Sequence, residues 1–396
     1  MAVDLGGAML SSIPDSAGMI FRWGFTRVFG DGYRPFIRNL AGVSNGYARA
    51  RSQYRAMMIG AEMALMTRSR SINDIREDFR PGSKFERALQ VVGETSQVVN
   101  LNAPWTEMMK GIASVVSGNE IFRAARAVSQ GNASAKQIRD LAASGIDQNL
   151  ARRVWSEFER GGEVVDGVYL PNTADWQDAA ARRAFEGAVA REVDIVVTTP
   201  GQEKPLWMSD SIVGLIGQHK SFIMGATERI LLANLQRRDA HTLAGFITMI
   251  SMGMVSASLY SAASGKPLPE RPQDWVKEGI SRSGVLGWLE ELNSLTAQAT
   301  AGGLDVYRLI GADRPLQRFS SRSVTDRLAG PTLGKIDRLT GLASAPFGEE
   351  GWNARDTSSV RRLMPFQNLF MIRRLLNEVE DSTNEMLGIQ PLENAR

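Results

Sequence analysis

From Leu243 to Ser264 the chain reads LAGFITMISMGMVSASLYSAAS, with no charged side chain between His241 on one side and Lys266 on the other. A helix crosses a hydrocarbon core in about 20 apolar residues. A helix that is apolar all round must be surrounded by protein or by lipid. Bulky residues (Phe246, Ile247, Ile250, Met254, Val255, Leu259) are interleaved with small ones (Gly245, Ser251, Gly253, Ala257, Ser261). Gly253 with Ala257, and Ala257 with Ser261, give the small-xxx-small spacing that lets helix backbones approach closely. The Ser, Thr and Gly content argues against entry into lipid alone and for burial against partner helices, so both surroundings stay open. The stretch supplies the first set of candidate contacts, to membrane or to another subunit: Leu243, Phe246, Ile247, Ile250, Gly253, Met254, Ala257 and Leu259.

Almost all of the remaining pattern is helical. GYARARSQYRAMMIGAEMALMT, residues 46–67, predicts one long helix with Met57, Met58, Met63 and Met66 on a face suited to a partner helix. SGNEIFRAARAVSQG predicts a short helix stopped by glycine. The stretch from Asn132 to Gly162 predicts two helices joined by SGID, with Ser134 or Asn132 as the first cap and Gly145 at its end. A helix-turn-helix would bring Gln148, Asn149, Arg152 and Arg153 toward a DNA groove; an ordinary helical hairpin has the same spacing. In GGEVVDGVYLPN, Asp166–Gly167 predicts a two-residue turn in a β-hairpin that needs helices to pack on. A helix from about Asp175 and another from about Ser209, with His219 on its apolar stripe, lead into the uncharged run. Beyond the break SGKPLPERP, the apolar positions are Trp275, Val276, Ile280, Val285, Leu286 and Trp288. A loop-rich stretch follows to Pro365, then a last helix with Leu369, Phe370, Ile372, Leu375, Leu376 and Val379 on its apolar face. The expectation is an all-α fold, an elongated multi-helix assembly with one short β-hairpin near 162–170. Its regions are a helical 1–130, a 131–265 part with both hairpins and the long apolar helices, and a loop-rich 266–396.

Much chemistry is missing. The 396 residues contain no Cys and two His, which makes thiolate metal sites, disulfides and a Ser–His–Asp triad improbable. GPTLGK has the wrong spacing for a phosphate loop. Carboxylate pairs such as Glu290 with Glu291, or Glu378 with Asp381, read as solvated helix faces. No catalytic residue, cofactor or metal ligand is expected, and no enzyme. MAVDLGGAML lacks the pattern of a secretory signal. The net charge of +3 is too small for a polybasic nucleic-acid binder. Nearly all the cations are Arg, which suits bidentate pairing with carboxylate or phosphate, although a GC-rich genome gives the same bias. Arg361, Arg362, Arg373 and Arg374 are candidate DNA-phosphate contacts, unless they pair internally, as Arg374 would with Glu378 at i+4.

TTPGQEKPLWMSDS, GQHKSFIMGATERILLANLQRRDAHTLAG, the uncharged run, DWVKEGISRSGVLGWLEELN, GPTLGK and VRRLMPFQNLFMIRRLLNEVE occur in that order. The series resembles the C-terminal helical region of the internal virion, or DNA-ejection, proteins of short-tailed bacteriophages. The likeness runs from about Gly131 to the end, with RSGVLG and RLMPFQNLF as its best markers. It implies a structural protein held inside the capsid, ejected with or ahead of the genome, that helps build a conduit for DNA across the host envelope. The implied partners are copies of itself, portal or other ejection proteins, genomic DNA bound non-specifically, and the host inner membrane. The implied places are the virion interior, then the host periplasm and inner membrane. Related chains are commonly longer and can carry a lytic domain upstream. An integral membrane or pore-forming protein unrelated to virions, and a helix-turn-helix DNA-binding protein, remain the alternatives.

Overall fold

The computed structural model describes residues 8–58, 101–197, 240–265, 267–286, 289–290, 293, 296–297, 305–311, 342, 352–363, 369 and 373–389. The fold is all-α with one two-stranded antiparallel sheet. Two compact units share the chain, and neither is continuous in sequence. One holds Gly18–Glu86 and Trp105–Thr198; the other holds Met1–Ala17, Arg87–Pro104 and Thr199–Arg396.

We refer to the former as the hairpin unit. In chain order, the described helices begin with α1 (Ala8–Ser12) and a 3-10 turn (Ile13–Ala17), both in the other unit. The hairpin unit then contributes α2 (Gly18–Trp23), α3 (Phe25–Arg27), a π-helical turn (Val28–Tyr33), α4 (Arg34–Leu40) and α5 (helical over 46–58). Next come α6 (Asn102–Ser129), α7 (Ala135–Ala143), α8 (Gln148–Gly161), strands β1 (Glu163–Val165) and β2 (Val168–Leu170), and α9 (Ala179–Val196).

Local chemistry explains most of these boundaries. Ser134 closes a full capping box with Gln137, and Gly145 takes φ 89 after α7, as the SGID junction predicts. Asp166 and Gly167, at φ 54 and 82, form the tight turn that sets Val165 opposite Val168. Asp178 caps α9 by accepting from the amides of Ala180 and Ala181, so that helix starts four residues later than Asp175 suggests; Asp175 closes a 3-10 turn instead. The short helix expected before Gly131 is the end of the 28-residue α6. Gly111 and Gly118 do not break α6. A Cβ at Gly111 would lie 3.1 Å from the Tyr47 hydroxyl, and one at Gly118 would overlap the ring of Tyr54. These glycines let α5 lie against α6. The rest of the long helix predicted from residue 46, with Met63 and Met66, falls outside the described residues, as does the helix carrying His219.

The core of this unit is aromatic. Phe122 and Phe185 are fully buried with ring centroids 4.6 Å apart, and Phe158, Tyr169 and Trp176 pack on them. The hairpin is tied down by the buried Asn119, which accepts from the Tyr169 amide and donates to the Gly167 carbonyl. Buried carboxylates are paired: Glu192 takes both nitrogens of Arg22 at 2.7 Å and the Ser144 hydroxyl at 2.6 Å. The unit thus has apolar groups inside and saturates its few buried charges, the ordinary solution in water.

Candidate functional site

The other unit is built differently. Its uncharged run forms α10 (Ala240–Ser264), followed by a left-handed Gly265 at φ 68. Beside it lies α11 (Pro272–Ser283), which begins on Pro272 and ends at Gly284, φ 72. The 3-10 turn Ile13–Ala17 and α1 also pack on α10.

The two helices meet backbone to backbone. A Cβ on Gly253 would overlap the carbonyl oxygen of Gly279 and lie 2.9 Å from the Ser283 amide. One on Gly279 would lie 3.0 Å from the Ile250 carbonyl and 2.7 Å from the Met254 side chain. Gly253–Ala257 on α10 therefore crosses Gly279–Ser283 on α11, the arrangement that small residues make possible. The second half of that pair was not recognised in the sequence, although GISRS carries the same four-residue spacing.

The buried face of α10 is small or polar: Thr242, Gly245, Gly253, Ser256, Ala257 and Ser261, with Met249 the one large side chain. Ser256 donates to the Leu10 carbonyl at 2.7 Å, and Ser11 and Tyr260 hydroxyls are 3.1 Å apart. The face turned outward is aliphatic: Leu243 (64% exposed), Ile247 (58%), Val255 (43%) and Leu259 (42%), four residues apart except where Ser251 intervenes. Even that serine asks nothing of water, because its hydroxyl donates to the Ile247 carbonyl one turn back. Thr248, Ser258 and Ser264 do the same to Ala244, Met254 and Tyr260. Of the sequence candidates, Gly253 and Ala257 lie inside, Leu243, Ile247 and Leu259 outside, and Phe246, Ile250 and Met254 between. In α10's most apolar window only 33% of residues are buried, and it is the one described helix long and apolar enough to cross a membrane.

α11 repeats the inversion. Asp274, Lys277, Glu278 and Ser281 point inward and are buried, whereas Val276 is exposed and Trp275 and Ile280 are half-buried. Lys277 reaches Asp305 at 2.8 Å and lies 5.0 Å over the Tyr307 ring. Arg282 stands 4.2 Å over the Tyr260 ring of α10, with Glu278 at 3.7 Å. Burial lowers the Arg282 pKa against the raising effect of Glu278. Burial would raise the Asp305 carboxyl, but hydrogen bonds from Lys277, Asn293 and the Tyr307 amide outweigh it and hold the group below its usual value. Glu290 is buried, not solvated, and accepts from the Tyr307 hydroxyl at 2.5 Å. Burial first, then the Glu290 charge, push that phenol upward.

Asp15, in the 3-10 turn packed on α10, has its carboxyl pushed up to about 7 by burial. An acid held protonated by the fold gives its full stability below the unfolded value near 4 and loses it as pH rises through about 7. Thermal melts should therefore show the native chain losing stability between about pH 4 and 7 relative to Asp15→Asn; parallel curves would refute the shift.

The arginine candidates are mostly engaged. Arg361, in α12 (Ala354–Leu363), is bound to Glu380 at 2.5 Å and Asn377 at 2.7 Å on α13 (Arg373–Met386). Arg374 pairs with Glu378 at 3.3 Å but stays exposed, and Arg373 is half-buried with a partner of its own. The Arg362 side chain lies outside the described residues. On the α7–α8 hairpin, Arg153 is clamped by both oxygens of Asp178 at 2.6 and 2.7 Å, leaving Gln148, Asn149 and Arg152 exposed. Among the described residues no group of three or more potential metal-ligating side chains forms a metal site. No protein-family model, curated protein or solved structure matches the chain.

Proposed function

We propose that this chain is a structural, non-enzymatic protein of a bacteriophage particle, ejected with or ahead of the genome to help form a DNA conduit across the host envelope. The observation that carries the reading is the polarity of α10: aliphatic residues outward, small and hydroxyl residues inward, every exposed hydroxyl satisfied by its own helix. Such a helix needs partners on its inner face and tolerates lipid on its outer face. The sequence resemblance to internal virion proteins supplies the setting. Inside the capsid the outer face would be covered by other copies or by portal and ejection proteins; in the host, by the inner membrane. Non-specific DNA contact would fall to exposed guanidinium groups such as Arg374.

Quantitative mass spectrometry of DNA-filled particles and of ghosts that have ejected tests the reading. The protein should be present in the first and lost from the second. Retention in ghosts would make it a fixed part of the shell. Absence from both would end the virion reading and leave the two alternatives, an integral membrane protein that needs detergent from the outset and a helix-turn-helix DNA-binding protein.

A further inference from the structure

A second unusual surface lies on the hairpin unit, where α3, the π-helical turn and α4 run across α6. Their inner side is anchored by Val28, buried, and by Gly32, where a Cβ would lie 2.7 and 2.8 Å from the side chains of Ile112 and Val116. Their outer side carries Phe25 (54% exposed), Phe29 (48%), Ile37 (54%), Leu40 (71%) and, just beyond, Val43 (64%). The rings of Phe25 and Phe29 stack 5.9 Å apart at 9°. Five large apolar groups along one short ridge exceed the scattered exposure usual on a soluble surface. The ridge belongs to the unit that otherwise buries its aromatics well, so it is not a general failure to form a core.

Charge decides what the ridge fits. The segment from Gly18 to Val43 has one acidic residue, Asp31, held in a bidentate pair by Arg123. Its exposed charges are all cationic. Arg34 is exposed with no ion-pair partner among the described residues; Arg27 and Arg38 keep about half and a third of their side chains in solvent while reaching Glu120 at 3.4 Å and Asp166 at 3.6 Å. A second copy docking the same face would set arginine against arginine. Aromatic and aliphatic side chains flanked by guanidinium groups match the boundary of an anionic bilayer, where rings sit at headgroup level and each cation adds attraction. The π-helical turn gives this its register. Its wider turn keeps Gly32 on α6 while Phe25, Phe29 and Ile37 stay on the outer side.

We infer that the Phe25–Val43 ridge is a peripheral contact for anionic lipid, separate from α10 and independent of the virion reading. The test uses the full chain and flotation on vesicles of phosphatidylcholine with or without phosphatidylglycerol. Binding should require phosphatidylglycerol, and a salt-releasable fraction should be seen. The double variant Phe25→Ser/Phe29→Ser should weaken that fraction by at least about tenfold, and Arg34→Glu by a smaller factor. Leu375→Ser, at a residue 60% exposed on α13, should leave it unchanged. Circular dichroism and melting of the variants check that the fold survives, as expected for exposed positions. Equal binding by the double variant and the native chain would overturn the inference. So would an equal loss in Leu375→Ser, or sedimentation showing that the ridge variants abolish self-association without lipid. Particle composition plays no part in these readouts, so this surface and the proposed function can fail separately.

Discussion

Gly253→Ala, a single added methyl, should destabilise the α10–α11 pair by about 1–3 kcal/mol, and Gly253→Leu by more. Inserting carbon into most helix contacts displaces a side chain, which can turn aside. Here the obstacles are the Gly279 carbonyl and the Ser283 amide, and backbone cannot rotate away without unwinding α11 or moving the helices apart. Separation would undo more than van der Waals contact. Arg282 would leave the Tyr260 ring, and the 3-10 turn Ile13–Ala17, which touches both helices, would lose its contact with one of them. Gly279→Ala should behave alike, because its Cβ meets the Ile250 carbonyl from the other side. Ala257→Ser, which adds a hydroxyl at a neighbouring buried position, is a milder comparison. Urea titration followed by tryptophan emission measures the effect. If Gly253→Ala stays within about 0.5 kcal/mol of the native chain, the close crossing described here does not exist in solution.

The buried charges of α11 add to stability less than their number suggests. Removing Lys277, Glu278 and Arg282 from water costs several kcal/mol per ion, and their mutual attraction repays this only where the geometry is good. The Lys277–Asp305 bond at 2.8 Å meets that condition; Glu278–Arg282 at 3.7 Å is weaker. Such pairs specify one arrangement more than they strengthen it. An apolar inner face would have stuck to many partners, and the outer face already can. A polar interior with an aliphatic exterior therefore gives a pair that is well defined internally and adaptable externally.

Where a local rule acts alone, the sequence was sufficient. Asp166–Gly167 dictated its turn, Ser134 and Gly145 bounded α7, and Arg374 found Glu378. The length of α6 was hidden because Gly111 and Gly118 look like breaks until Tyr47 and Tyr54 are seen filling the space above them. The inner face of α11 could not be read from the sequence, for a deeper reason. Apolar periodicity identifies the inner side of a helix only if the surroundings are water, and α11 buries Asp274, Lys277 and Glu278 while leaving Val276 outside. Around the last helix the expected packed face is divided: Leu369 is buried, but Leu375 and Val379 are 60% and 53% exposed. For the candidate contacts on α10, the sequence named the right stretch but not its two sides, because nearly every residue there is uncharged. Only the positions of Gly253, Ser256 and Ala257 against their neighbours distinguish the inner stripe from the outer one.

That distinction allows the sharpest test of the proposed function. Ile247→Asp with Val255→Asp places two carboxylates on the outer stripe, at positions 58% and 43% exposed. In water the double variant should fold and melt much as the native chain does, since neither side chain supports the core. In a bilayer each Asp near the centre of a helix costs about 3 kcal/mol, so the pair should reduce insertion by roughly four orders of magnitude. Aspartate at Ile250 and Met254 would be less informative, because both lie against Gly279 and would disturb the soluble form as well. The measurements are alkali-resistant partitioning into vesicles and, in particles carrying the variant, plaque titre. Loss of both with an unchanged melt would identify α10 as the element that enters the membrane during ejection. Insertion and titre at native levels would refute a membrane role for the outer stripe, whatever the particles contain. A variant that inserts poorly but infects normally would keep the stripe as a subunit contact and remove α10 from the conduit.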